Sequence, residues 1–107
     1  MTALAVFTTI DSEDAARALA RRAVTDRRAA CVQITAISSV YEWDGVQEDA
    51  EWRLLFKTTR EGYDALAALI LETHSYDEPA LWAHEIDAGS EGYLGWIETS
   101  VAAPGRP

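Results

Sequence analysis

The chain has 107 residues, 49% of them apolar, which suits one compact domain with a sizeable core and leaves no room for two. Its formal charge of −9, from 18 acids against 9 bases, argues against nucleic acid or an anionic membrane as the main partner, because phosphate binding needs a basic surface. A single cysteine, Cys31, permits no internal disulfide; no apolar run approaches the ~20 residues of a membrane span; and the start Met1-Thr2-Ala3-Leu4-Ala5-Val6-Phe7 lacks the basic residues of a signal peptide, so the expected compartment is the cytoplasm.

Residues 4–10 form an almost wholly apolar run that suits a strand buried on both faces, in the middle of a sheet. Asp11-Ser12 then offers a helix N-cap, with Glu13 and Asp14 in the first turn where the helix dipole favours acids. Ala15, Ala16, Leu19, Ala20, Ala23 and Val24 make one apolar face of a helix that runs to about Arg27, while Arg17, Arg21 and Arg22 face out. A strand, a helix and a second strand make a crossover, so the first strand and the next should run parallel.

Residues 30–59 organise the chain. At a period of two, Ala30, Val32, Ile34, Ala36, Ser38 and Val40 share one face of the first arm, with Cys31, Gln33, Thr35, Ile37, Ser39 and Tyr41 on the other. The second arm, residues 46–59, places Trp52, Leu54 and Phe56 against Arg53, Leu55 and Lys57 in the same alternation, and Asp44-Gly45 is expected to join the arms as a two-residue turn. At ~3.3 Å per residue such an arm reaches on the order of 40 Å, far beyond a domain whose radius of gyration is roughly 13 Å. The hairpin should overhang its own domain. Val40, Tyr41, Trp43, Val46 and Trp52 lie on or near the overhang, and an exposed apolar ribbon needs a partner to cover it, so a homo-oligomer is expected in which each hairpin lies on a neighbour.

After the hairpin, Thr58-Thr59-Arg60-Glu61 reads as a capping box for a second helix with the stripe Tyr63, Leu66, Ala67, Leu69 and Ile70, ending near Thr73. The polar connection His74-Ser75-Tyr76-Asp77-Glu78-Pro79 follows, its proline barring further helix. Residues 80–87 read as the last strand, and Tyr93, Leu94 and Ile97 mark a short third helix. The domain is expected to span residues 1–101, with residues 102–107 a disordered tail. The order β-α-β-β-α-β with an added helix predicts an α+β, ferredoxin-like sandwich whose helices cover one sheet face only. Its other face would carry Cys31, Gln33, Thr35, Arg53 and Lys57, a mixed surface suited to subunit contact with clefts between chains.

Five blocks carry a resemblance: Ala29-Ala30-Cys31-Val32, Ser39-Val40-Tyr41-Glu42-Trp43-Asp44-Gly45, Phe56-Lys57-Thr58-Thr59, His74-Ser75-Tyr76-Asp77-Glu78-Pro79, and Gly89-Ser90-Glu91-Gly92-Tyr93-Leu94-Gly95-Trp96. Together they resemble the divalent-cation-tolerance (CutA) family, over residues 6–99. The resemblance implies a ferredoxin-like fold shared with nitrogen-regulatory PII proteins, a tight homotrimer assembled through the long hairpins, and binding of copper or another divalent cation. It implies no settled chemical activity, and roles that range from metal tolerance to the anchoring or maturation of other proteins. The chain departs from the family pattern at Thr8 and Thr73, where some relatives have a cysteine and a histidine, and at Gln33, Ser75 and Ala80.

His74 is the best metal-ligand candidate, because neutral imidazole suits copper and zinc; the competing reading is a helix C-cap that bonds the last carbonyls. Asp77, Glu78 and Cys31 are its candidate partners at an intersubunit cleft, against Cys31 as a small buried hydrophobe. Lys57, on a mostly covered face, must find an anion or a carbonyl: it could hold an anionic ligand in a cleft or pair with an acid such as Glu51 of a neighbouring chain. Lys57, Tyr76, Trp43 and Trp96 are the candidate lining of a cleft for a small anionic ligand or a protein partner. Aromatic residues on a hairpin serve oligomer packing as well. Glu42, Asp44, Glu48, Asp49 and Glu51 read as a solvated acidic rim, and His84 as a ring packed on the sheet with its nitrogens satisfied. No nucleophile elbow, phosphate loop or spaced carboxylate pair points to catalysis.

Overall fold

The computed structural model describes residues 1–102, so the expected tail falls, from residue 103 on, outside the described residues. Seven elements follow in order: β1 (Ala3–Ile10), α1 (Glu13–Thr25), β2 (Cys31–Glu42), β3 (Val46–Thr59), α2 (Tyr63–Thr73), β4 (Trp82–Glu85) and α3 (Glu91–Ser100). The strands form one sheet in the order β2-β3-β1-β4, with every neighbouring pair antiparallel. This is the ferredoxin-like arrangement. β1 sits inside the sheet as its apolar run requires, and since β1 and β2 both oppose β3 they run parallel to each other.

The register of the hairpin follows from which faces must be buried. β2 and β3 pair even residue to even residue: Val32 with Phe56, Ile34 with Leu54, Ala36 with Trp52. A two-residue Asp44-Gly45 turn would pair even with odd and set Val32 opposite Lys57, turning one arm's apolar face away from the core. The turn therefore takes three residues, Trp43, Asp44 and Gly45, between the paired ends Glu42 and Val46. Asp44 and Gly45 still carry the positive φ values, 54° and 102°, that their residue types tolerate. The ribbon dominates the outline of the molecule, which measures 43 × 28 × 20 Å.

On the even face, Ala16, Leu19 and Ala23 of α1 and Leu66, Leu69 and Ile70 of α2 pack on Leu4, Val6, Ile10, Leu54 and Phe56. Ser12 caps α1 as expected, accepting from the Ala15 N–H at 3.2 Å. Val24, expected on the apolar face, lies outside the core at 43% exposure. The predicted capping box before α2 does not form, because β3 continues through both threonines to pair Thr58 with Leu4 and Thr59 with Ala3. Thr58 instead donates to the Arg28 carbonyl, Thr59 accepts from the Gly62 N–H, and Gly62 is the N-cap. The helices do not all lie on one face. Ile97 and Val101, at α3 and its end, join Ala3 and Ala30 in a second cluster on the odd face, with Leu94 packed against it, so Ala30 does not share the core of Val32 as its spacing suggests. β4 is shorter than the predicted strand, pairing only from Trp82 to Glu85 along the edge of β1.

Candidate functional site

Three groups of polar and aromatic side chains are separated along the sheet. The first lies where residues 74–80 cross the hairpin. α2 stops at Thr73, and His74 leaves the helix in an extended conformation, ψ 142°. Its ring does not reach back to the last helix carbonyls. Nε2 lies 2.7 Å from the Thr9 carbonyl on β1, and Nδ1 accepts from the Tyr76 N–H at 3.1 Å. A carbonyl only accepts and an N–H only donates, so the ring is the neutral tautomer with its proton on Nε2. Both nitrogens are engaged in holding the loop against β1. Thr8, fully buried, adds a second tie by donating to the Ala80 carbonyl at 2.6 Å.

So anchored, the loop presents Tyr76 to the hairpin. The Tyr76 hydroxyl donates to Glu51 Oε2 at 2.7 Å, and Glu51 is only 7% exposed. Glu51 is thus no part of a solvated rim. Burial first, then the bond to the Glu51 carboxylate, raises the Tyr76 phenol well above its ordinary pKa of 10.0. Farther out on the same face the Tyr41 hydroxyl donates to Asp49 at 2.5 Å, and that bond is the main reason its own pKa is raised. Tyr41, Trp43, Glu51, Tyr76, Asp77 and Glu78 line a cleft of about 550 Å³.

The second group lies at the other end of β3. Lys57 Nζ donates to the Tyr93 hydroxyl at 3.1 Å and Gln33 Oε1 at 3.4 Å, and stands 5.4 Å from the centre of the Tyr93 ring. Trp96 packs beside Tyr93 with ring centres 5.7 Å apart, and Cys31 is directly across from Lys57 in the ladder. Five residues of β3 lie between Lys57 and Glu51, about 20 Å of strand. Of the candidate cleft residues, one chain brings Trp43 and Tyr76 together, and holds Lys57 and Trp96 in a different place. Of the candidate metal ligands, His74, Asp77 and Glu78 share a loop and Cys31 stands apart. Among the described residues no three His, Cys, Asp or Glu side chains are gathered to hold a metal ion.

The third group joins His84, expected on the sheet, to aromatic neighbours that the spacing alone does not single out. Trp82 stacks on Phe7 at 4.2 Å, His84 meets both rings edge-on at 5.3 and 5.1 Å, and the Arg53 guanidinium lies 5.9 Å from the Phe7 ring centre. His84 packs on the sheet as expected, but its nitrogens find no hydrogen-bond partner among the described residues. The period-two spacing of Trp82 and His84 was the available signal, since strand pairing then aligns them with Phe7 and Ala5.

The model of a family described as CutA1 divalent ion tolerance protein matches residues 4–100. A chloroplastic CutA protein of Arabidopsis thaliana is 38% identical over 100 residues, covering 92% of this chain and 55% of its own length. The divalent-cation tolerance protein CutA of Thermus thermophilus is 39% identical over 98 residues, covering 90% of this chain and 95% of its own. The chain thus spans about half the length of the plant relative and nearly all of the bacterial one. The crystal structure of CutA1 from Oryza sativa superposes with a TM-score of 0.92 at 36% identity, covering 95% of both chains. No described helix is long and apolar enough to cross a membrane.

Proposed function

The chain belongs to the CutA1 divalent ion tolerance family, and from that premise we propose that it is a homotrimer that binds a divalent cation, copper first, in the response to metal ions, without catalysing a reaction. The observation that carries this reading is the uncovered end of the ribbon, where Val40, Trp43 and Val46 are 67%, 61% and 76% exposed. Two strands carrying such side chains need a partner to pack against. Assembly also supplies what one chain lacks, because donors from a second chain can join His74, Asp77 and Glu78. A neighbour's Cys31 is the proposed soft donor, and copper heads the affinity order for nitrogen and sulfur ligands. Binding through His74 Nδ1 would release the Tyr76 N–H, so metal and loop position are coupled. A single cysteine fits a reducing compartment, and we propose the cytoplasm.

The test is native mass spectrometry followed by copper calorimetry, with a weak chelator present, on wild type and His74→Ala. We expect three chains per particle and a tenfold or greater loss of copper affinity in the variant, about 1.4 kcal/mol. A monomer would overturn the assembly reading, and equal copper binding in both proteins would overturn the role of His74.

Lys57 favours a second reading. It is a half-buried cation whose hydrogen-bond partners, Gln33 and Tyr93, are neutral. A PII-like sensor or scaffold would use it to take a small anionic ligand or an acidic group of a protein partner between chains. Loss of anion binding in Lys57→Ala would favour this reading over the first.

A further inference from the structure

Helices α2 and α3 are close in length, at 11 and 10 residues, but not in what holds them. α2 sets Leu66, Leu69 and Ile70, none with exposed surface, into a core of twelve buried residues. Of α3 only Ile97 is buried, in a cluster whose other buried members are Ala3, Ala30 and Val101. The sequence of α3 also works against a helix. Gly95 stands in its interior and Gly92 in its first turn, and a Cβ at either would meet no atom within 4 Å among the described residues. No close approach calls for these glycines, and glycine inside a helix weakens it relative to alanine. Residues 86–90, which lead into α3 from β4, are neither strand nor helix.

Polar latches hold this weak helix at both ends. Arg27, at φ 57°, takes a left-handed conformation that is costly for a residue with a side chain. From there its Nη2 donates to the Thr99 carbonyl at 2.9 Å and its Nε to the Ser100 carbonyl at 3.2 Å, satisfying two groups that a helix end leaves open. The Arg27 carbonyl in turn accepts from the Ala102 N–H at 2.8 Å. Near the start of α3, Lys57 Nζ donates to the Tyr93 hydroxyl at 3.1 Å. Both side-chain latches are exposed, so water replaces them at little cost. α3 packs where Ala3 pairs with Thr59, at the end of β3 away from the turn and from the ribbon tip that association would cover.

We propose that α3 is a strap that opens about residues 87–90 while the sheet and its first core stay folded, and that it gates Lys57. Closed, Tyr93 occupies the ammonium; open, Tyr93 leaves with the helix and the ammonium is free for an anion. The strap rests on the second reading of Lys57 only for what the freed ammonium takes up. Should Lys57→Ala bind anions as wild type does, that reading fails and the strap stands.

Native-state hydrogen exchange read by mass spectrometry, on the full chain with no anion present and at urea concentrations below unfolding, tests the strap. We expect α3 amides to exchange on the order of a hundredfold faster than those of β1, at a rate urea hardly changes, because local opening exposes little surface. Ile70→Val, in the first core, should speed β1 amides about fivefold and leave α3 amides as they are. Gly95→Ala should slow α3 amides about fivefold, and Arg27→Ala should speed them about tenfold. If α3 amides follow β1 in urea or in Ile70→Val, the helix opens only with the whole fold and the strap is overturned. An α3 rate unmoved by both Gly95→Ala and Arg27→Ala would overturn it as well. Lys57 is the chain's only lysine, so acetylation by an amine reagent, located by peptide mass, reads its release. That rate should rise in Arg27→Ala and fall in Gly95→Ala; equal rates in wild type and both variants would overturn the gate.

Discussion

The inner and outer halves of the β2–β3 ribbon share one uninterrupted ladder, yet they are different kinds of structure. In the inner half Leu54 and Phe56 have no exposed surface, and α1 and α2 lie across them. In the outer half every residue from Val40 to Ala50 is exposed, although the pairing continues to Glu42 and Val46. Backbone hydrogen bonding is the same in both. What differs is cover, so the inner half belongs to the stability of the fold, and the outer half is the part left to the proposed association.

The contrast is broken most severely at Phe56. Phe56→Ala removes a ring with no exposed surface between sheet and helices and should cost about 3–5 kcal/mol. Urea denaturation of the variant should show little or no folded protein, and near-wild-type stability would mean the inner half is not the core. Gly62→Ala tests the junction of β3 and α2, where a Cβ would stand 2.6 Å from Val101 Cγ1 and 3.0 Å from Thr58 Oγ1. We expect a loss of about 1–3 kcal/mol from overpacking, read as a lowered denaturation midpoint.

Tyr76→Phe probes the boundary between the halves, leaving the Glu51 carboxylate without its donor at a cost of about 1–2 kcal/mol. This cost should depend on pH. The phenol pKa is raised in the folded protein, so its contribution is fully present below the ordinary value of 10.0. Above that pH the unfolded chain binds fewer protons than the folded one, and stability falls as pH rises through the folded-state pKa. The difference between wild type and Tyr76→Phe should therefore shrink in strongly alkaline solution; a difference independent of pH would mean Tyr76 acts by packing alone. The smallest effect on the fold is expected at the tip. Val46→Ser should change chain stability by no more than about 0.5 kcal/mol while weakening association, measured as a shift toward smaller particles on dilution. A large loss of stability with no change in particle size would place the tip in the chain's own core.

Elements whose apolar residues keep one period were legible without coordinates. β1 is apolar throughout, α1 has its cap and stripe, and the hairpin arms alternate cleanly; from these the topology follows. The errors fell where two local signals competed. Asp44-Gly45 looks like a complete turn, but the shared parity of Val32, Ile34, Leu54 and Phe56 overrules it. Thr58 and Thr59 look like a cap, but strand pairing with β1 claims them first. Glu51 looks like one acid among several on a ribbon, and nothing nearby in sequence says that Tyr76, 25 residues on, will bury it.

By itself the sequence determined the ferredoxin-like order, the core-facing alternation of the hairpin's inner half and the overhang of the hairpin. These depend on periodicity and length, which act between residues close along the chain. Only the tertiary structure decided that α3 crosses to the odd face, that His74 ties its loop to β1, that Lys57 and Glu51 belong to separate groups of side chains along β3, and that Glu51 shares a cleft with three aromatic rings. Such contacts join residues far apart in sequence, and depend on how whole elements pack.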